Sequence, residues 1–257
     1  NEMADRIMQK GPKCVVIADS PDFNIPLVRK LRSKGYKGKV FYISPPTVWA
    51  WRSSRVKTIA SAVDECLPLF RFEHEFLLKN GCSSYWTGHP MTEELSDREA
   101  LAANLPEDLR NDKKLVAFLP GSRKVEINNL MPIMEQVACQ VKDKGWHPVF
   151  SIAPGLKEKK RIMMKEHLEA RKFDIYTGPG RDLLAAASCA VAASGTVAVE
   201  AMMLGCYMVV AYKLSSLSAF VARLLVKTRY FTIPNILLNA EMFPELMQSK
   251  ATPENMF

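Results

Sequence analysis

With 257 residues, 48% of them hydrophobic and 24% charged, the chain has an ordinary globular balance and room for two modest domains or one large one; a disordered or fibrous chain is excluded. The formal net charge of +8 points to anionic partners, but Lys and Arg are spread along the chain with no basic block interleaved with aromatics, which argues against nucleic acid. Cys14, Cys66, Cys82, Cys139, Cys189 and Cys206 form no C-x-x-C pair and the four histidines are scattered, so a zinc site has no support and a reducing compartment fits.

The chain starts without Met, inside a helical segment that leads to a strand at CVVIA, 14–18. A parallel α/β domain would carry more strands before that point. The expectation is therefore a piece of a longer protein, cut at the front, with a second cut after Phe257 left open. A helix follows over Ile25–Lys34, then a strand at KVFYIS, 39–44. Pro45-Pro46 stops this strand and presents VWAWR at 48–52. Next come a helix near Ser53–Ala62, a short strand at Glu65–Leu69, a helix at Phe72–Lys79 and a loop over 85–90. Asp19 falls at the end of the first strand, where open α/β sheets place ligands, and could serve as a general base. Asp22, three residues on, reads better as a cap for the next helix.

From Met91 to Lys114 the composition turns polar, which marks a linker. LVAF and Leu119 then form a buried strand over 115–119 that runs into Pro120-Gly121. Ser122 can cap the following helix, which extends to about Lys144, and Arg123 adds a fork of donors to the helix N-terminus. The place suits a phosphate or diphosphate; an ordinary β–α turn with a solvated Arg is the alternative. The rhythm continues with a strand at 147–153, a helix to about Lys172, a strand at 174–176 and a helix at Arg181–Ala187.

Residues 183–212 carry Glu200 as their one charge apart from nothing but apolar and small residues, and so mimic a transmembrane helix. Ser194-Gly195-Thr196 and Gly205 interrupt the stretch, which parses instead as strand 189–193, helix 197–204 and strand 207–212. Ser194, Gly195 and Thr196 again sit where a strand yields to a helix, a second place for an anion. Glu200 lies on the face of Thr196; its carboxylate calls for a partner, either a sugar diol or a neighbouring Arg. Over 213–230 apolar residues recur at helical spacing among Arg223, Lys227 and Arg229, either a membrane-surface helix or one facing a core.

Several segments together resemble one family, the bacterial lipid-A-disaccharide synthases: IADSPDFN (17–24), ISPPTVWAWR (43–52), GHPM (88–91), LPGSRKVEI (119–127), ASGTVAVEAMMLGC (193–206) and IPNILLNAEMFPELMQ (233–248). The resemblance covers nearly the whole chain, in the family's order. It implies an α/β fold of GT-B type, with two Rossmann-like parallel-sheet domains facing across a cleft. The boundaries are then 1–92 for the remainder of an acceptor-side domain, 93–114 for a linker and 115–257 for a UDP-sugar domain. The implied reaction is inverting transfer of diacylglucosamine from UDP-2,3-diacylglucosamine to 2,3-diacylglucosamine 1-phosphate, with release of UDP and no metal or other cofactor. By the same resemblance Asp19 is the base, Arg123 contacts the diphosphate, Glu200 meets the ribose, and Asn235 belongs to the active site; Ser122, Ser194, Gly195 and Thr196 complete the UDP-sugar site. It also implies peripheral attachment to the cytoplasmic face of the inner membrane, with a homodimer as a further option. The family's Gly-rich first segment is absent, Leu238-Asn239-Ala240-Glu241 stands where Ala-Gly-Arg-Glu is common, and Gly205-Cys206-Tyr207 replaces Gly-Cys-Pro. Two rivals remain: another GT-B enzyme such as a cell-wall glucosaminyltransferase or a UDP-sugar epimerase, and a non-catalytic protein that keeps UDP affinity.

Overall fold

The computed structural model describes residues 2–213 and 228–257, and the basic amphipathic helix expected over 213–230 falls, but for its ends, outside them. The described residues divide into two compact units, the first ending at Pro90 and the second beginning at Met91.

The first unit runs α1 (Glu2–Lys10), β1 (Cys14–Ala18), α2 (Pro21–Ser33), β2 (Lys39–Ile43), α3 (Arg55–Ala62), β3 (Glu65–Leu67) and α4 (Arg71–Lys79). Among the described residues its strands form a parallel sheet in the order β1-β2-β3, with Val16 opposite Phe41 and Phe41 opposite Glu65. Val28 and Leu31 of α2, Tyr42 of β2, Ile59 of α3 and Leu77 of α4 make one core. Each such side chain contributes roughly 1.5–3 kcal/mol when taken from water. Helix α2 begins at Pro21 rather than near Ile25, because proline's fixed φ suits a first helical turn.

In the second unit, residues 93–114, which their polarity marks as a linker, carry short helices. They lie within α5 (Met91–Glu94), α6 (Arg98–Ala102), α7 (Glu107–Arg110) and their connections, with Leu95, Leu105 and Leu109 buried in the unit's core. A leucine every turn or two is enough to seat a charged segment, and Asp97 caps α6 by accepting from the Ala100 N–H. There follow β4 (Leu115–Leu119), α8 (Lys124–Asp143), β5 (His147–Ser151), α9 (Glu158–Ala170), β6 (Asp174–Tyr176), α10 (Gly180–Ala186), β7 (Cys189–Ala193), α11 (Val197–Leu204), β8 (Tyr207–Tyr212), a short helix at Ile233–Leu238 and β9 (Glu245–Met247). The stretch that mimics a membrane span thus breaks into strand, helix and strand. Among the described residues no helix is long and apolar enough to cross a membrane.

These strands form a six-stranded parallel sheet in the order β6-β5-β4-β7-β8-β9. All five residues of β4 are buried, as expected of a central parallel strand covered on both faces. Leu115, Ala117 and Leu119 join the core that holds Leu183 and Leu204, whereas Val116 and Phe118 join the one built on Leu130, Met134 and Phe150 of the opposite face. From β4 the chain winds toward β6 on one side and then crosses to β7 on the other. The order therefore reverses between β4 and β7, and in open α/β sheets the crevice beyond the carboxyl ends at such a point receives the ligand.

Candidate functional site

A pocket of about 260 Å³ lies at that switch point, lined among others by Gly121, Arg123, Glu126, Ser194, Gly195 and Glu200. Two glycines make room for it. Gly121 has φ +98°, and a Cβ there would stand 2.6 Å from Glu126 Oε2 and 3.1 Å from the Ala193 Cβ. Gly180 opens α10 against β4, where a Cβ would meet Leu119 Cδ2 at 2.8 Å.

The N-terminus of α8 is capped differently from the sequence expectation. Arg123, not Ser122, holds the N-cap position, and neither side chain caps the helix. Glu126 turns back from the first turn instead: its Oε2 accepts from the N–H of Ser122 at 3.3 Å and of Arg123 at 3.2 Å, while Oε1 takes Arg123 Nη1 at 2.6 Å. A carboxylate three residues into a helix reaches these donors, and Ser122 stands one residue too early. The Arg123 side chain stays 76% exposed, with its other donors open to the pocket it lines.

At the start of α11 the opposite holds. Thr196 is the N-cap residue and its side chain makes no cap bond, and the N–H groups of Gly195, Thr196 and Val197 meet no acceptor among the described residues. The Ser194 N–H donates to the Ala211 carbonyl at 2.9 Å, which pins the turn to β8. Glu200 follows one turn later and lines the same pocket. Among the described residues its carboxylate makes no hydrogen bond or ion pair, since Arg181, whose charge is felt there, is engaged with Glu94. Burial pushes the Glu200 carboxyl above its usual range, with Arg181 opposing and Glu94 adding to the shift. An unpaired, half-buried carboxylate beside vacant N–H groups is a ligand site in chemical terms: hydroxyl donors for the one, an anion for the others.

Asn235 is not part of this pocket. It is fully buried, its Nδ2 donates to the Phe243 carbonyl at 2.8 Å and to Glu245 Oε1 at 2.9 Å, and its Oδ1 accepts from the N–H groups of Met242 and Phe243 at 2.9 Å each. Every hydrogen-bonding position of the amide is used within the protein, which leaves none for a nucleotide. Glu245 Oε1 also accepts from the N–H and hydroxyl of Thr232, tying the ends of the Ile233–Leu238 segment together.

In the first unit, Asp19 is exposed at the carboxyl end of β1 with φ +44°. Its backbone is held by Asn24 Nδ2 and the Tyr42 hydroxyl, which donate to its carbonyl at 2.8 and 2.9 Å. Asp22 does not cap α2; it accepts from Arg52 Nη1 at 3.1 Å and from Arg55. Those guanidinium groups, Arg55 foremost, hold its carboxyl below the usual range. Glu126, which belongs to LPGSRKVEI but has no role assigned there, and Gly180 line the pocket as well, as do Ser151, Ala153 and Pro154, which no motif contains. Glu126 is signalled by its place three residues after the N-cap, and Gly180 has no local signal, because Leu119 reaches it only in the fold.

The family model for lipid-A-disaccharide synthetase matches residues 1–257. A lipid-A-disaccharide synthase of Azotobacter vinelandii is 36% identical over 255 residues, covering 96% of this chain and 66% of that protein. One of Colwellia psychrerythraea is 34% identical over 258 residues, covering 98% and 65%. The chain thus spans a little under two thirds of these relatives. Among solved structures, a putative UDP-N-acetylglucosamine 2-epimerase of Listeria monocytogenes shares the fold, with a TM-score of 0.62 at 13% identity over 100% of this chain and 66% of its own. The α/β fold of GT-B type with two parallel sheets is therefore shared with that structure, and by the full-length match the chain belongs to the lipid-A-disaccharide synthetase family.

Proposed function

We propose that the chain carries the sites of a lipid-A-disaccharide synthase, which transfers diacylglucosamine from UDP-2,3-diacylglucosamine to 2,3-diacylglucosamine 1-phosphate and releases UDP. The observation that carries this reading is Glu200, a carboxylate without a partner among the described residues, in the same pocket as the unpaired N–H groups of α11 and the exposed fork of Arg123. The ribose diol donates to the two oxygens of Glu200. The diphosphate lies on the N–H groups of Gly195, Thr196 and Val197 and on Arg123, with the Ser194 hydroxyl at its side; Ser122, whose N–H is held by Glu126, lends its side chain only.

Departure of UDP leaves negative charge on the β-phosphate oxygen, and donors fixed in place stabilise that charge as it forms. Arg123 and the α11 N-terminus supply this stabilisation without a metal. Asp19 removes the proton from the acceptor's 6-hydroxyl, whose oxygen attacks C1 from the face opposite the leaving group and inverts that carbon. Work on diacylated sugars, together with the +8 net charge, supports a peripheral position on the cytoplasmic face of an anionic inner membrane.

Calorimetric titration of the chain with UDP tests the reading. Arg123→Ala and Glu200→Ala each remove a charge-assisted hydrogen bond of about 1.5–3 kcal/mol, so each is expected to weaken UDP roughly tenfold or more. UDP affinity unaltered by both would overturn it.

A further inference from the structure

The first unit gathers an unusual set of groups at the carboxyl ends of its strands. Asp19 and Ser20 after β1, Ser44 after β2, and Arg52 before α3 all have positive φ, at 44°, 39°, 50° and 50°. Left-handed backbone is costly for residues with a side chain and persists where the surroundings enforce it. Here Asn24 Nδ2 holds the carbonyls of Ala18 and Asp19, and the Ser44 N–H is fixed by the Leu67 carbonyl at 3.0 Å. The result presents two guanidinium groups side by side. Both Arg52 Nη1 and Arg55 Nη2 point at the same oxygen of Asp22, a side chain 75% exposed, and the Arg52 guanidinium lies 4.4 Å above the Trp51 ring.

A surface ion pair needs one cation per carboxylate and contributes little. The second Arg, stacked on an aromatic ring and carried on left-handed backbone, exceeds that need. Each fork spends one donor on Asp22, and their other N–H groups meet no acceptor among the described residues. Two forks with open donors and a net charge of +1 match a phosphate monoester, whose three terminal oxygens accept from both at once. Asp22, which both arginines hold, stands in the first turn of α2 three residues after Asp19, so the arginine pair lies at the same carboxyl end of the sheet as Asp19.

We infer that Arg52 and Arg55 form the subsite for the acceptor's sugar-bound phosphate, next to Asp19. The inference rests on the proposed function for the identity of the phosphate's carrier, and on the geometry alone for the anion. The arginines are positioning residues that hold the acceptor by its phosphate while its 6-hydroxyl meets Asp19.

Trp51, in contact with Arg52, supplies a fluorescent reporter. The chain is titrated with glucosamine 1-phosphate, with glucosamine and with inorganic phosphate, and separately with UDP. Glucosamine 1-phosphate is expected to give a saturable change that Trp51→Phe abolishes and that Arg52→Gln and Arg55→Gln each weaken about tenfold, with UDP binding untouched. Glucosamine is expected to give none, and inorganic phosphate to compete more weakly than the sugar phosphate. Equal responses to glucosamine and its phosphate, a response to inorganic phosphate alone, or wild-type affinity in both arginine variants would overturn the inference. If a Gln variant does not fold, as read by far-UV circular dichroism, Arg52→Lys and Arg55→Lys keep the charge and lose the fork; undiminished affinity in both would overturn it equally. Loss of UDP binding with the phosphate response intact would instead sink the nucleotide reading and leave this subsite standing.

Discussion

Asn235 and Glu200 lie in the same unit, each on a short helix, and both come from segments that resemble nucleotide-binding motifs. Asn235 has every side-chain donor and acceptor engaged by the protein, while the Glu200 carboxylate has neither hydrogen bond nor ion pair among the described residues and borders backbone N–H groups equally bare. The cost of a buried polar group is met at the first place by neighbours in the chain, and at the second, on the function proposed above, by a ligand. On that reading a saturated group builds the fold and an unpartnered one serves the site. Motif resemblance alone does not separate the two.

The comparison is put at greatest risk by Asn235→Ala. The change strands the N–H groups of Met242 and Phe243 and the Phe243 carbonyl in the interior, and about 3 kcal/mol or more of unfolding free energy is expected to disappear in urea melts. A variant as stable as the parent would show that saturation is no sign of a structural role. Gly121→Ala comes next, since it forces a side chain into left-handed backbone and against the Glu126 carboxylate. A loss of about 2 kcal/mol by the same melts is expected, together with weaker UDP binding.

Glu200→Gln should behave as the reverse of Asn235→Ala, with UDP affinity falling about tenfold while stability holds or rises. Its pH dependence has a definite sign. Burial raises the folded carboxyl above the reference value of 4.5, so the unfolded chain ionises first, and the parent loses stability as pH climbs from 4.5 through the folded value. Gln removes that loss, so the two proteins should converge in acid and separate toward neutrality. A parent curve parallel to that of the variant would sink the claim that Glu200 is an unrelieved charge.

The smallest effect is expected at the far end of the same sheet. His147 Nδ1 meets Asp112 and Nε2 meets Asp174, each at 2.6 Å. Ionised carboxylates only accept, so it is the imidazolium, with both ring nitrogens donating, that these two partners favour. Burial works against the charge, but the bonds to Asp174 and Asp112 outweigh it and raise the pKa above 6.5. The stabilisation is therefore complete below pH 6.5 and fades as pH rises through the folded value. Chemical-shift titration of the ring should give a midpoint above that of the unfolded chain, and His147→Gln should flatten the stability curve in the same range.

The strands were the most legible part of the fold. CVVIA at 14–18, 115–119, 189–193 and 207–212 appear with the bounds that their apolar runs predict, because a short apolar run of strand length is a direct signal, even in β1, where Ile17 alone is buried. The helices within segment 93–114 are not legible because four leucines among charges give little periodicity, although they suffice once a core stands beside them. The pocket-lining positions of Arg123, Ser194, Gly195, Thr196 and Glu200 follow from strand-to-helix turns that a sequence displays. What each side chain touches does not: the capping by Glu126, the closure of Asn235 on Phe243 and the pairing of Asp22 with two arginines depend on approach between elements.

The pairing of β4 with β7 has a consequence for how the molecule assembles. Val116 lies opposite Cys189, so the pocket's two walls come from strands separated by two further strands and three helices of the sequence. Contacts over such a span carry a large loop-closure cost and tend to form late, after the local β4–β5 and β5–β6 units. Ligand binding at the switch point is thus a report on completed topology: a chain stalled with its local β–α–β units formed but its central seam open would keep most of its helical signal and recognise nothing.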